Sequence, residues 1–557
     1  MSGWRTETGT ACGEASSGDF VDNEQPGSRK TRLEIVKGTD ILSKKHTRRR
    51  FLKAAGAGAT WVALAGAMGC EPAERSSRIS PKATPEETVP SAGSAKDVWV
   101  RPSQPPEEAW TFRSRPDLRP PTVHVGTPAH DTAPGYIFLA PKKGEGQFGT
   151  LIVDDLGEPV WFRPLENQEL YPMDFKVQQY GGEPVLTWCE SKVVAGHGFG
   201  EYVILDTSYR EITRVRAGNG YQGDHHEFLI TPRNTALLTA YGKVRADLTS
   251  IGGEKDHLVW DCVAQEVDIE TGEVLFEWHS IDHVGVDETY GNLSNDEPGE
   301  AFCYFHINSI DVEPDGNLLI SSRNTFAVYK VDRETGEVIW RLGGKKSDFD
   351  MASGTETRYQ HDARRQPDGT ITIFDNGGVK LDGESFGIVL DLDMDEMKAT
   401  LVRRYAHPEN RFSDTQGNVQ MLPDGNAFLG WGSAPYLSEF SHDGKLLFSA
   451  SLPNTYQSYR AYRFPWSGHP GEEPAVKVER ESDEEVTVYA SWNGATEVAE
   501  WQVLAGPGPE RLENVGFVAR DGFETAIGLR TAEPYVGVRA IDGSGRVLGT
   551  AGTVKVA

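Results

Sequence analysis

The sequence is poor in positive charge, in cysteine and in long apolar runs, and each shortage closes off a class of function. Lys and Arg number 56 against 83 Asp and Glu, for a formal net charge of -27. A chain this acidic repels a phosphate backbone, so nucleic-acid binding is excluded as a main role, and any anionic ligand needs a local cationic pocket. Five cysteines occur in 557 residues, none in a CxxC arrangement. Beyond Cys70 there are Cys189, Cys262 and Cys303, which allow at most one disulfide and present no metal or redox motif. The main apolar run, Ala54 to Met68, is too short and too rich in small residues for a stable membrane span. Heptad-like patterns are scarce, and the 60 Gly, 13 Trp, 18 Tyr and 23 Phe favour an all-β chain.

What is present is a repeat. Tyr304 to Gly344 reads as an alternating strand, a PDGN turn, a second apolar strand ending in Ser-Arg-Asn, a third strand, a TGE turn and a fourth strand. The turn between the last two strands recurs six times, at Asp154, Asp206, Asp268, Asp332, Asp391 and Ser441. The turn between the first two recurs as TPRN, EPDGN, QPDGT and LPDGN. One four-stranded unit cannot bury both faces alone, so six units predict a six-bladed β-propeller over residues 120–468. From about Ala475 the period-2 pattern changes, and 475–557 reads as a small C-terminal β-sandwich of the fibronectin type III kind. Polar insertions between Gly242 and Trp260 and between His279 and Phe302 lengthen the third unit.

The amino terminus carries an address. Thr47-Arg48-Arg49-Arg50-Phe51-Leu52-Lys53 is a twin-arginine motif, so 1–70 reads as an N-terminal extension with an export signal. The run ends Ala-Met-Gly-Cys70, similar to a lipoprotein cleavage site, which makes Cys70 a candidate for lipidation and the only membrane attachment expected. Plain signal-peptidase cleavage nearby is the alternative. Residues 71–119, rich in Pro, Ser and charge, read as a disordered linker. A periplasmic or cell-envelope location follows.

Three histidines stand at one position in consecutive units: His226 in DHHEF, His306 in FHINS and His361 in QHDAR, with 55 residues from His306 to His361 and 55 more to Gln416. Equivalent positions on successive blades converge on the central channel. Arg323 and Asn324 end the second strand of the His306 unit, and Asn308 lies two residues beyond His306. His225 is expected to alternate to the opposite face. Imidazole, guanidinium and amide without a carboxylate pair suit a tetrahedral oxyanion such as sulfate or phosphate, with one imidazole as nucleophile, and no cofactor or metal is expected. Tyr304, Tyr359, Trp431 and Tyr436 are aromatic candidates for an acceptor pocket.

HHEF with TALLTAY, AQEVDIETGEVLFEW, YFHINSIDVEPDGNLLISSRNT, VIWRLGG with SDF, and QHDARRQPDGTITIFDNG resemble the bacterial arylsulfotransferase family in its shorter branch, over roughly Val123 to Gly468. The resemblance implies a six-bladed propeller that moves a sulfuryl group from a phenolic sulfate ester to a phenol by a ping-pong route through a sulfohistidine, without the nucleotide sulfate donor. It makes His361 the nucleophile, and His306, Asn308, Arg323 and His226 the groups that bind sulfate and shuttle the proton. Activity is then expected to fall on the acid side as His361 protonates. Two other readings stay open: a non-catalytic cell-surface propeller that binds or scaffolds, and a quinoprotein-type dehydrogenase, suggested by the TGEVxW repeats.

Overall fold

The structure, a computed structural model, describes residues 97–102, 104–293, 300–378 and 383–556. The twin-arginine motif and Cys70 lie outside these residues. Among the described residues the chain is almost entirely strand, and no helix is long and apolar enough to cross a membrane.

Among the described residues, a three-stranded antiparallel meander and then five four-stranded ones follow one another. They begin with Tyr136–Lys142, Tyr171–Tyr180, Gly223–Ile230, Ile307–Val312, His361–Arg365 and Asn418–Met421. The recurring turns have a common cause. Asp154, Asp206, Asp268 and Asp332 each turn a carboxylate back on the turn backbone, accepting from the N–H of Leu156, Ser208, Thr271 and Thr335 at 2.8–2.9 Å. An aspartate here supplies the acceptor that a tight turn needs. The first meander has only three consecutive strands of its own, and Gln457–Phe464, from the far end of the repeat, pairs with Tyr136–Lys142 as its fourth. The insertion after Gly242 prolongs a hairpin: Thr235–Ala246 and His257–Asp268 pair over 12 residues each, joined by the non-strand residues 247–256.

The leading strands of the units meet through a buried ionic hub. Arg460 donates to Asp174 and to the Asn308 carbonyl, both at 3.0 Å, and contacts Glu227 at 3.3 Å. Lys176 bridges Asp174 at 2.6 Å and Glu227 at 2.9 Å, and Arg364 joins Glu227 to Asp362. Three cations thus face three carboxylates, so the charges balance where water is excluded. Most leading strands are irregular near their start, with register shifts at Met173/Lys176, Asp224/Phe228, Ile307/Ser309, His361/Arg364 and Ser458/Ala461. Such bulges re-aim side chains that strict alternation would send elsewhere.

After residue 474 the chain forms two further sheets, Ala475–Arg480 with Glu485–Ser491 and Glu524–Arg530, and Val498–Gly508 with Arg511–Ala519 and Tyr535–Asp542. They share an apolar cluster that includes Val488, Trp501, Val503, Ile527 and Val538. Val98–Arg101, within the stretch read from sequence as a disordered linker, is instead a strand paired to Glu524–Arg530. Val98 fills the cluster, and its partner strand lies at the far end of the sequence, where linker composition gives no hint of it. Asn493 brackets Phe162 with two hydrogen bonds of 2.9 Å, and the Tyr209 hydroxyl donates to the Gly494 carbonyl at 2.8 Å, which fastens these sheets to the first two meanders.

Candidate active site

Five of the predicted residues line one cavity of about 440 Å³: His226, His306, Arg323, Asn324 and His361. Asn308 is not on its wall. Its side-chain N–H₂ donates to the Gln360 carbonyl at 2.6 Å, so it straps the peptide just before His361. His225 reaches the cavity as well, contrary to the alternation rule. Between Asp224, opposite Thr239, and Phe228, opposite Leu238, three residues lack ladder partners, so both imidazoles turn the same way and stack at 4.1 Å.

His361 is fixed in one tautomer by its neighbours. The Asn376 amide donates from Nδ2 to the carbonyls of Ser413 and Gln416, both at 2.9 Å, which sets its orientation. Its Oδ1 therefore faces His361 Nδ1 at 2.7 Å and accepts that N–H. Nε2 is left with a lone pair, met by the Gln416 backbone N–H at 3.2 Å. Burial, reinforced by the Arg323 charge, holds this imidazole well below its ordinary range; the Asn376 hydrogen bond opposes the shift only in part. A neutral imidazole with an unprotonated ring nitrogen can act as a nucleophile once the substrate displaces the Gln416 N–H.

Arg323 is the cationic counterpart. Its guanidinium lies over the Tyr359 ring at 4.6 Å, donates to Asn324 Oδ1 at 3.0 Å and reaches the Asp414 carbonyl at 3.5 Å. These partner atoms are uncharged, and among the described residues no carboxylate forms an ion pair with the guanidinium, although the Asp414 charge acts on it from further off. Its backbone N–H donates to the His306 carbonyl at 2.9 Å, tying the two residues together. His306 itself sits at φ +61°, a left-handed conformation that costs about 1–3 kcal/mol outside glycine and is found where a site demands it. Burial lowers its pKa to about 4, against the raising influence of Cys303.

His226 forms a dyad. Its Nδ1 donates to Asp224 Oδ2 at 2.5 Å, and Asp224 also accepts from Thr239 Oγ1 at 2.9 Å and the Gly198 N–H at 2.6 Å. Burial favours the acid form of Asp224, but the two histidines and these hydrogen bonds outweigh it and hold the carboxyl far below the usual range.

Sequence reasoning missed several wall residues. Lys142 donates to Gln416 Oε1 at 2.9 Å, and burial drives its ammonium well below the ordinary lysine range. Cys303 lies between His197 Nε2 at 3.3 Å and His306 Nδ1 at 3.4 Å. Asp224 was in view only as the first residue of DHHEF, and Asn376 only within QHDARRQPDGTITIFDNG. A second cavity of about 460 Å³ shares Cys303, Arg323 and Asn324 with the first and is lined by Tyr290, Phe302, Tyr359 and Phe412. Of the four aromatic candidates only Tyr359 is there. Tyr304 and Trp431 are buried in the core, and Tyr436 lies beneath Arg411 at 3.7 Å.

No curated protein matches the chain. Among solved structures, a protein of unknown function from Bacteroides caccae is 15% identical, with a TM-score of 0.38 over 59% of this chain and 98% of that one. A catalytically inactive virginiamycin B lyase from Staphylococcus aureus is 8% identical, with a TM-score of 0.30 over 67% and 97%. A structure described as the Dos1 propeller is 12% identical, with a TM-score of 0.27 over 71% and 75%. Residues 176–452 match the family model described as Arylsulfotransferase (ASST), and through them the chain belongs to the arylsulfotransferase family.

Proposed function

We propose that the protein is an aryl sulfotransferase that moves a sulfuryl group from a phenolic sulfate ester to a phenol through a sulfated His361. The observation that carries this reading is the unprotonated Nε2 of His361, its tautomer fixed by Asn376, in one cavity with the guanidinium of Arg323. In the first half-reaction Nε2 attacks sulfur: the N–S bond forms, the S–O bond to the phenol breaks, and the phenolate takes a proton from an imidazolium at His306 or His226. Arrival of the sulfate anion favours protonation of His306, whose low pKa belongs to the unliganded cavity. In the second half the same imidazole accepts the proton of the incoming phenol, its oxygen attacks sulfur, the N–S bond breaks, and His361 is restored. Asp224 stays in contact with His226 as that ring gains and loses charge. Arg323 and Asn324 bind the sulfuryl oxygens, where a loose transition state concentrates charge. Tyr290, Tyr359 and Phe412 in the adjoining cavity suit the aryl ring.

Around this site we infer a closed six-bladed propeller, the strand Gln457–Phe464 completing the ring, followed by a β-sandwich of the fibronectin type III kind. We also infer export by the twin-arginine route to the periplasm or cell envelope, with a lipid on Cys70 as the only membrane tether. The test is release of nitrophenol from 4-nitrophenyl sulfate with and without phenol, beside His361→Asn. Release that rises with phenol and falls by about 10³-fold or more in the variant supports the reading. A sulfated peptide containing His361, found by mass spectrometry after donor alone, identifies the intermediate. No release from folded wild type across several phenols overturns it.

A further inference from the structure

On one wall of the cavity three soft ligand atoms face one another: His197 Nε2, Cys303 Sγ and His306 Nδ1. We propose that these three residues form a binding site for a soft divalent cation of the zinc type. The claim rests on ligand geometry, and a cation on His306 Nδ1 leaves His226 as the proton donor of the transfer reaction.

Tetrahedral zinc, with bonds of about 2.3 Å to sulfur and about 2.0–2.1 Å to nitrogen, sets its sulfur–nitrogen edges near 3.5–3.6 Å. The observed edges are 3.3 Å from Cys303 to His197 and 3.4 Å from Cys303 to His306. The three ligand atoms lie within 4.8 Å of one another, and an arriving ion would draw the two nitrogens toward the tetrahedral edge of about 3.4 Å. Two imidazoles and a thiolate are a ligand set of borderline softness that selects zinc over calcium or magnesium.

The ligands are also supported from behind. The His197 ring is stacked on Trp260 at 4.5 Å and meets Tyr241 edge-on at 4.5 Å. The Cys303 carbonyl accepts from Asn324 Nδ2 at 2.6 Å, and the His306 carbonyl accepts from the Arg323 backbone. Preset ligands lose little freedom when an ion arrives. Three protein ligands leave a fourth tetrahedral position, and because all three residues line the cavity it opens there, as in sites that exchange a bound water. No spacing motif announces the set: Cys303 and His306 are three apart, but His197 lies 106 residues before Cys303 and on another meander.

Cobalt(II) titration of the purified mature chain, kept reduced with a phosphine, tests the proposal. One equivalent should produce a thiolate-to-cobalt charge-transfer band that zinc displaces and that Cys303→Ser abolishes while retaining the wild-type thermal transition. The neighbouring Asp224, His225 and His226 donors contain no sulfur and yield no such band. His197→Gln, which keeps the thiol, should weaken zinc at least about tenfold in competition with a chromophoric chelator. Absence of the band in wild type, its survival in Cys303→Ser, or unchanged zinc affinity in His197→Gln overturns the proposal.

Discussion

Replacing Asn376 by Asp tests the link between the cavity and nucleophilicity most directly. In the native protein the amide accepts His361 Nδ1–H at 2.7 Å without adding charge, and burial with Arg323 keeps the ring neutral well below pH 6.5. The expected acid limb of kcat/KM therefore lies well below the pH at which an ordinary histidine titrates. A carboxylate in the same place still accepts the N–H but stabilises the imidazolium. An opposite charge within about 4–6 Å raises a pKa by about 1–3 units, or about 1.4–4 kcal/mol of preference for the protonated form. The sign is fixed: the variant's nucleophile is lost to protonation at higher pH, so its acid limb moves up by about 1–3 units. Asn376→Ala provides the control, since it removes an interaction that favours the imidazolium, and its acid limb should not rise even though activity falls. The assay is kcat/KM for 4-nitrophenyl sulfate from about pH 4 to 9, with samples quenched into alkali. Limbs for Asn376→Asp and wild type that coincide within about half a unit would refute the assignment of His361 as the titrating nucleophile.

Further predictions concern stability. His225, His306 and His361 all have lowered pKa values, His306 at about 4, so in acid the unfolded chain binds protons that the folded chain refuses. Stability should therefore fall as pH drops below about 6.5, by up to about 4 kcal/mol per pH unit while all three stay neutral in the fold; urea unfolding midpoints that do not change from pH 7 to 5 would contradict this. Arg460→Met leaves Asp174, Glu227 and Asp362 facing only Lys176 and Arg364, and should cost about 3–5 kcal/mol in the same assay; a loss under about 1 kcal/mol would mean the hub is not what joins the leading strands.

Much of the architecture was legible because its determinants are local. Each aspartate that caps a turn does so within about four residues, and each strand declares itself by alternation. The repeat register then brought His226, His306 and His361 together on paper, and Arg323 with Asn324 followed from the strand end beside His306. Alternation failed at His225, where three residues are added to one strand without a partner, and a bulge leaves no reliable trace in hydrophobic pattern. It failed again at Asn308, which turns its amide to a neighbouring backbone rather than to the cavity. The expected acid fall in activity changes place for a physical reason: the sequence names an imidazole, whereas its pKa depends on how much water and which charges surround it.

By itself, the sequence determined the acidic balance, the strand pattern, the six recurring turns and the types of residue available to bind an oxyanion, because each depends on neighbours along the chain. The tertiary structure alone decided which ring nitrogen of His361 is unprotonated, that Arg323 is hydrogen-bonded by amide and carbonyl oxygens, that Asp174, Glu227 and Asp362 balance Lys176, Arg364 and Arg460, and that His197 meets Cys303. Those outcomes depend on distances between residues far apart in sequence, 106 positions in the last case, and on burial that exists only once the meanders have packed.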